Sequence, residues 1–173
     1  MTGMWGESSG YDVDVENEQV HVDVQLLNRP VRYEPFETFP QPAGAECVFL
    51  GRTRIEQHPE HGRLERLAYE AYEPLAEKTL QSLAQRAAER FDCLAVRIHH
   101  TIGEVLVGEA SVLVQTVCGH RQQSFEATRF LIDRLKLEAP IWKRELWADG
   151  TTWSEGAPVD APQQMNPQGT QQC

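Results

Sequence analysis

A chain of 173 residues with 40% hydrophobic side chains carries enough apolar material for one domain with a real core. Its formal net charge of -10 leaves no basic footprint for nucleic acid, and no apolar run reaches the roughly 20 residues of a membrane span. Cys47, Cys93, Cys118 and Cys173 form no C-x-x-C pair, which argues against a zinc site or disulfide framework and for free thiols in a reducing cytoplasm. The first residues show no basic stretch followed by an apolar core, so no signal peptide is read there. The acids are unevenly placed. Residues 1–19 hold five and residues 146–173 hold three, neither stretch with a Lys or Arg.

In chain order, residues 1–18 are rich in Gly, Ser and acids and read as a flexible leader. Val20, Val22, Val24 and Leu26 alternate with His21, Asp23 and Gln25, the period of a half-buried strand. Prolines at 30, 35, 40 and 42 make 28–43 a connection, with room for one short helical turn. Ala45 to Thr53 reads as a second strand, and Arg52 and Arg54, two apart, share a face. Residues 55–63 read as a loop. Its His58 and His61, like the adjacent His99 and His100 downstream, lack the further ligands a metal needs. Leu64 to Tyr72 is a third strand. Pro74 suits a first helical turn, and Ala76, Leu80, Leu83, Ala84, Ala87 and Phe91 form the apolar stripe of a packing helix. Leu94, Val96 and Ile98 alternate in a fourth strand. Residues 103–108 turn the chain and Ala110 to Val117 form a fifth. After a second helix come Ile141 to Trp147, a turn at Asp149-Gly150 and a short return through Trp153. The tail over 158–173, rich in Pro, Gln and Gly, reads as disordered. Strands and helices do not alternate strictly, so the pattern predicts an α+β fold: one domain over 19–157, a mixed or antiparallel sheet and two main helices.

The densest chemistry lies between Cys118 and Glu145. This stretch holds six Lys or Arg against four acids, and two of the three lysines, Lys136 and Lys143. In an acidic chain that is a local basic island. Ala127, Leu131 and Leu135, and likewise Phe125, Thr128, Ile132 and Leu135, follow the steps of an amphipathic helix, which Pro140 ends. His120 and Arg121 therefore begin the helix, Lys136 sits near its end, and Lys143 falls on the extended segment beyond. Free N–H groups and the dipole favour an anion at the helix start. An ordinary wet face carries the same kind of charge run.

The runs G-H-R-Q-Q-S-F-E-A (119–127) and L-K-L-E-A-P-I-W-K-R-E (135–145) resemble the catalytic (large) subunit family of molybdopterin synthase. Upstream, V-F-L-G-R-T-R (48–54) and Y-E-A-Y (69–72) look like it too, and the similarity covers about residues 20 to 157. The resemblance implies an α/β-hammerhead-like arrangement. It implies sulfur transfer to a cyclic pyranopterin monophosphate (precursor Z) from a small ubiquitin-like sulfur-carrier subunit, whose C-terminal Gly-Gly ends in a thiocarboxylate. Two sulfurs are added, giving the dithiolene of molybdopterin, with no metal or organic cofactor required. The large subunit is expected to be a homodimer within a heterotetramer. By the same resemblance Lys136 and Lys143 are the catalytic residues. Arg52, Thr53, Arg54, His120, Arg121, Lys136, Lys143, Arg144 and Glu145 border the substrate. Arg54, His120 and Arg121 suit its phosphate, because Arg can bond phosphate oxygens in pairs.

Two departures stand out. Ile55 and Glu56 follow Arg54 where many members carry Asn and His, and Gly156 and Ala157 stand where many carry an arginine that reaches the dimer mate's pocket. Arg63 or His58 are candidates to rebuild that part of an anion site. Two other readings compete. Cys118 and His120, two apart, could form the nucleophile and base of a hydrolase or thioltransferase, although no third orienting group is evident. The chain could also be a non-catalytic anion-binding or assembly module that keeps the fold.

Overall fold

The computed structural model describes residues 20–38 and 40–153. The leader over 1–18, the tail over 158–173, and Glu155, Gly156 and Ala157 lie outside the described residues. The elements run β1 (His21–Leu27), β2 (Ala45–Arg52), β3 (Gln57–His58), β4 (Gly62–Ala71), α1 (Glu73–Phe91), β5 (Cys93–Thr101), β6 (Gly103–Leu106), β7 (Ala110–Cys118), α2 (Arg121–Glu138), β8 (Ile141–Trp147) and β9 (Gly150–Trp153). Among the described residues this is an α+β fold with two helices, one mixed sheet and one antiparallel sheet.

Four strands form one sheet in the order β1-β5-β7-β2. The β1/β5 pair is parallel and the other two pairs are antiparallel. Alternation explains its layers. Val96 and Ile98 of β5 and Val114 and Cys118 of β7 face α1 and α2, where they meet Leu80, Leu83, Ala84 and Ala87 of α1 and Ala127, Leu131 and Leu135 of α2. Burying one such Leu removes enough apolar surface to contribute about 1.5–3 kcal/mol. The connection at 28–43 crosses the opposite face without forming a helical turn. Its Val31 is buried with Leu113 and its backbone N–H donates to the Ala110 carbonyl.

That second face carries a polar rung across all four strands. Arg97 of β5 donates to Asp23 of β1 at 2.7 Å, to Gln115 of β7 at 2.9 Å and to the Glu34 carbonyl at 2.6 Å. Gln115 donates onward to Glu46 of β2. Phe36 covers the Arg97 guanidinium at 4.2 Å. Burial alone would push the Asp23 carboxyl up, but bonds from His99 and Arg97 hold it below the ordinary carboxylate value.

The smaller sheet runs β3-β4-β8-β9, with β6 also paired to β4. The turn expected at 103–108 thus contains a strand, because Gly103 to Leu106 find a partner in Arg66 to Tyr69. The two sheets are tied where Tyr69 donates its hydroxyl to Ser111 at 3.0 Å and packs edge-on against His100. His99 and His100 do point apart. His99 lies 3.0 Å from Asp23, and the buried His100 bonds the Thr101 carbonyl.

Phe125 departs from the expected stripe of α2, being exposed, while Ser124 and Thr128 are buried. The reason is a polar tether. Thr116 of β7 lies 3.1 Å from the Ser124 hydroxyl and 2.8 Å from the Thr128 hydroxyl, and donates to the Ser124 carbonyl. Every hydroxyl in it has a partner, so the burial costs little.

Candidate functional site

Helix α2 sets the geometry. The chain reverses at Gly119, and Thr116 near the end of β7 meets Ser124 and Thr128 near the start of α2. The helix therefore runs antiparallel to β7 and alongside β2, which pairs Ala45 with Cys118 and Arg52 with Ala110. The reversal is tight: a Cβ on Gly44 would run into the Gly119 carbonyl.

His120 is the N-cap of α2, with extended backbone and no side-chain cap bond, and Arg121 is its first residue. Both are exposed. Lys136 lies in the last turn, about 22 Å along the axis from Arg121 at the standard rise per residue. One protomer therefore does not bring His120 and Arg121 to the lysines. Arg54 follows the end of β2 that pairs with Ala110, whereas His120 and Arg121 follow Cys118 at the other end of the β2/β7 pair, so a single chain does not bring the three expected phosphate ligands into one pocket.

Lys136 has a different neighbourhood. Ala139 leaves helical geometry ahead of Pro140, and the chain enters β8 at once. There Lys143 is the cross-strand neighbour of Tyr69, and its Nζ lies 3.1 Å from Glu145. Lys143 and Glu145, two apart, share one face of the strand. Glu145 also accepts from the Thr152 hydroxyl at 3.2 Å, which in turn accepts from the Trp147 indole at 2.8 Å. Arg144 points to the other face, 3.5 Å from Glu70 and with its guanidinium over Trp153.

The cations of the basic island are mostly engaged. Arg129 pairs with Asp133, and Arg134 and Arg86 both pair with Glu138. Those two arginines hold the Glu138 carboxyl below its usual value, Arg86 first. Lys143 and Arg144 have their carboxylates, as above. Among the described residues, Arg121 and Lys136 have no carboxylate within 4.0 Å. These two stand at opposite ends of the same helix.

The 52–54 segment divides. The Arg52 side chain donates to the Gly108 carbonyl at 3.0 Å and lines a shallow concavity of about 310 Å³ with Val31, Leu50 and Glu109, on the side away from the helices. Thr53 is buried and its backbone N–H bonds the Glu109 carbonyl. Its hydroxyl has no partner. Arg54 is exposed, and its Nε lies 2.5 Å from Glu56. This ion pair raises the Arg54 pKa. Glu56, one of the departures, thus occupies the guanidinium expected to meet phosphate. His58 does not replace it: its Nδ1 accepts the Glu60 and His61 amides, and its ring stacks on His61. Arg63 is an exposed residue of β4 paired with Gln57. Among the described residues no three His, Cys, Asp or Glu converge as metal ligands.

The Cys118/His120 dyad fails on geometry. Cys118 is fully buried in the helix-facing core, whereas His120 is exposed beyond the turn at Gly119. The strand ends at Cys118, so two-residue alternation does not carry through to His120.

Residues 19–138 match the family model for the MoaE protein. The molybdopterin synthase catalytic subunit of Neosartorya fischeri is 39% identical over 146 residues, covering 82% of this chain and 75% of that protein. The crystal structure of molybdopterin synthase from Staphylococcus aureus superposes with a TM-score of 0.67 at 30% identity, over 79% of this chain and 96% of that one. A chain from the complex of subunits 1 and 2 of the molybdopterin-converting factor from Helicobacter pylori gives 0.55 at 26% identity, over 65% and 73%. No helix among the described residues is long and apolar enough to cross a membrane. On this match, the chain belongs to the MoaE family, that of the molybdopterin synthase catalytic subunits.

Proposed function

We propose that this chain transfers sulfur from the C-terminal thiocarboxylate of a small ubiquitin-like subunit to a cyclic pyranopterin monophosphate, forming the molybdopterin dithiolene in the cytoplasm. The observation that carries the reading is the join between α2 and β8. It sets Lys136, with no carboxylate of its own, beside the strand that presents the Lys143–Glu145 pair. Lys143, ion-paired with Glu145 at 3.1 Å, supplies the second catalytic amine. Lys136 stays available to exchange a proton with, or react with, the thiocarboxylate tail. Thr53, with its free hydroxyl, and Arg54 border this end of the sheet.

The remaining anion ligands come from a second protomer. His120 and Arg121 stand about 22 Å from Lys136 in their own chain, so a homodimer that sets one helix start against its mate's lysines completes the site. Arg121 and the open N–H groups of α2 then take the phosphate. The dimer mate and the partner's extended tail supply the remaining walls of this site. The reading puts the working domain at residues 19–157.

Reconstitution is the test. The protein, the pterin monophosphate and the thiocarboxylated small subunit are mixed, and molybdopterin is measured. Product that disappears when the partner lacks its terminal Gly-Gly supports the proposal. Tight partner binding without product would identify a non-catalytic assembly module instead.

A further inference from the structure

Cys93 opens β5 and Cys118 closes β7, and the two are register partners in the antiparallel pair. Their sulfurs already touch at 3.4 Å, and both residues are buried against the helices. Cys118 is followed by Gly119 and then by His120 and Arg121 at the start of α2. Cys47, the other cysteine among the described residues, sits elsewhere, on β2.

We infer that Cys93 and Cys118 form a dithiol that closes to an intramolecular disulfide under peroxide, and that closure displaces the start of α2. The chemistry balances in two steps. The Cys118 thiolate attacks one oxygen of hydrogen peroxide, breaking the O–O bond and giving a sulfenic acid and hydroxide, which takes up a proton as water. The Cys93 sulfur then attacks the Cys118 sulfur, forming the S–S bond and expelling a second water as its own proton is lost. The protein gives up two electrons and two hydrogens, and the peroxide receives them.

Cys118 is the attacking group. It precedes the N-cap of α2 by two residues. Its neighbours Cys93 and, more weakly, the Ser124 hydroxyl hold its thiol below the usual value against the opposing effect of burial. The same contact pushes Cys93 up, so it remains the proton-bearing partner. Both residues, though buried, occupy strand ends beside turns, where local opening admits a molecule as small as peroxide. Bond formation draws the sulfurs together by about 1.4 Å, from contact to disulfide length. The Gly44–Gly119 backbone approach leaves little slack at this turn, so the movement passes to His120 and Arg121.

The test uses the full chain treated with hydrogen peroxide and mapped by mass spectrometry after alkylation of remaining thiols. The expected product is a peptide pair linked through Cys93 and Cys118, lighter by two hydrogens and released by dithiothreitol. Hydrogen exchange over residues 119–124 should rise in the oxidised form. Cys93→Ala should abolish the link and the change in exchange, with Cys93→Ser as the alternative if alanine disturbs the fold. If Cys47 is oxidised while Cys93 and Cys118 stay unlinked, the proposal is overturned. A link with unaltered exchange would overturn the coupling to α2. A further arm rests on the proposed sulfur transfer. Oxidation should lower the rate about tenfold, as small misplacements of binding groups do, and dithiothreitol should restore it. Mapping and exchange need no turnover, so their failure is separable from failure of the functional reading.

Discussion

The two ends of α2 carry the same kind of side chain and are built for different work. At the start, Arg121 and His120 add to the positive end of the helix dipole, and the first N–H groups are open. At the finish, Lys136 faces the negative end, and the chain turns directly into a strand that supplies a second lysine and a carboxylate. On the proposed reading the first arrangement takes the phosphate, and the second sets two lysines and a carboxylate where the transfer step takes place. On that same reading, separating them along one helix of 18 residues leads two protomers to share each site.

The sharpest way to break this contrast is to remove charge at each end in turn. Lys136→Ala should lower single-turnover sulfur transfer by about 10²–10⁴-fold, the range for loss of acid–base function, with the circular dichroism spectrum unchanged because the side chain is exposed. Lys136→Arg should fail nearly as badly, since arginine keeps the charge but does not give up its proton. Near-normal turnover in either variant would remove the catalytic role. At the other end, Arg121→Ala should raise KM by about 10- to 100-fold, as expected for a charge-assisted bond of about 1.5–3 kcal/mol, and leave kcat closer to wild type. Mixing inactive Lys136→Ala with Arg121→Ala chains should recover part of the rate, because hybrid dimers contain one site with both residues intact. No recovery would place both in one chain's site.

Smaller effects probe what holds α2 in place. Thr116→Val leaves the buried Ser124 and Thr128 hydroxyls without their shared partner and should cost about 1–3 kcal/mol in urea unfolding. The polar rung on the opposite face gives a pH signature. Asp23 titrates below its ordinary value in the folded chain, so its contribution is fully present above the unfolded value of about 3.9. It is lost as pH falls through the folded pKa, because the unfolded state binds more protons there. Asp23→Asn should flatten the acid limb of the stability–pH curve, measured by urea midpoints, and leave sulfur transfer unchanged. The smallest effect is expected at Glu56. Its pair with Arg54 is solvent-exposed, and such pairs contribute little. Glu56→Gln should therefore lower KM for the phosphate substrate by no more than about fivefold, and unchanged KM would remove Arg54 from the substrate site.

Periodicity alone determined most of the elements. The alternation through Val22, Val24 and Leu26, the stripe from Ala76 to Ala87 and the stop at Pro140 each depend on a few adjacent side chains. Local sterics and burial settle them wherever the chain goes. The same holds for His120, Arg121 and Lys136 as positions on a helix. The strand at Gly103–Leu106 was not legible, because it exists only through pairing with β4. Phe125 and Ser124 exchanged places between surface and core because Thr116, eight residues before Ser124, supplies the bond that makes a buried serine cheap. The family motifs carried the list of site residues but not their grouping. Tertiary structure alone turned Arg52 toward Gly108 and buried Cys118 against Cys93. The Arg52, Cys118 and Cys93 contacts join residues far apart in the chain, and a side chain's partners are decided by packing rather than by its neighbours in the chain, whereas the spacing of Arg121 and Lys136 follows from their places on one helix.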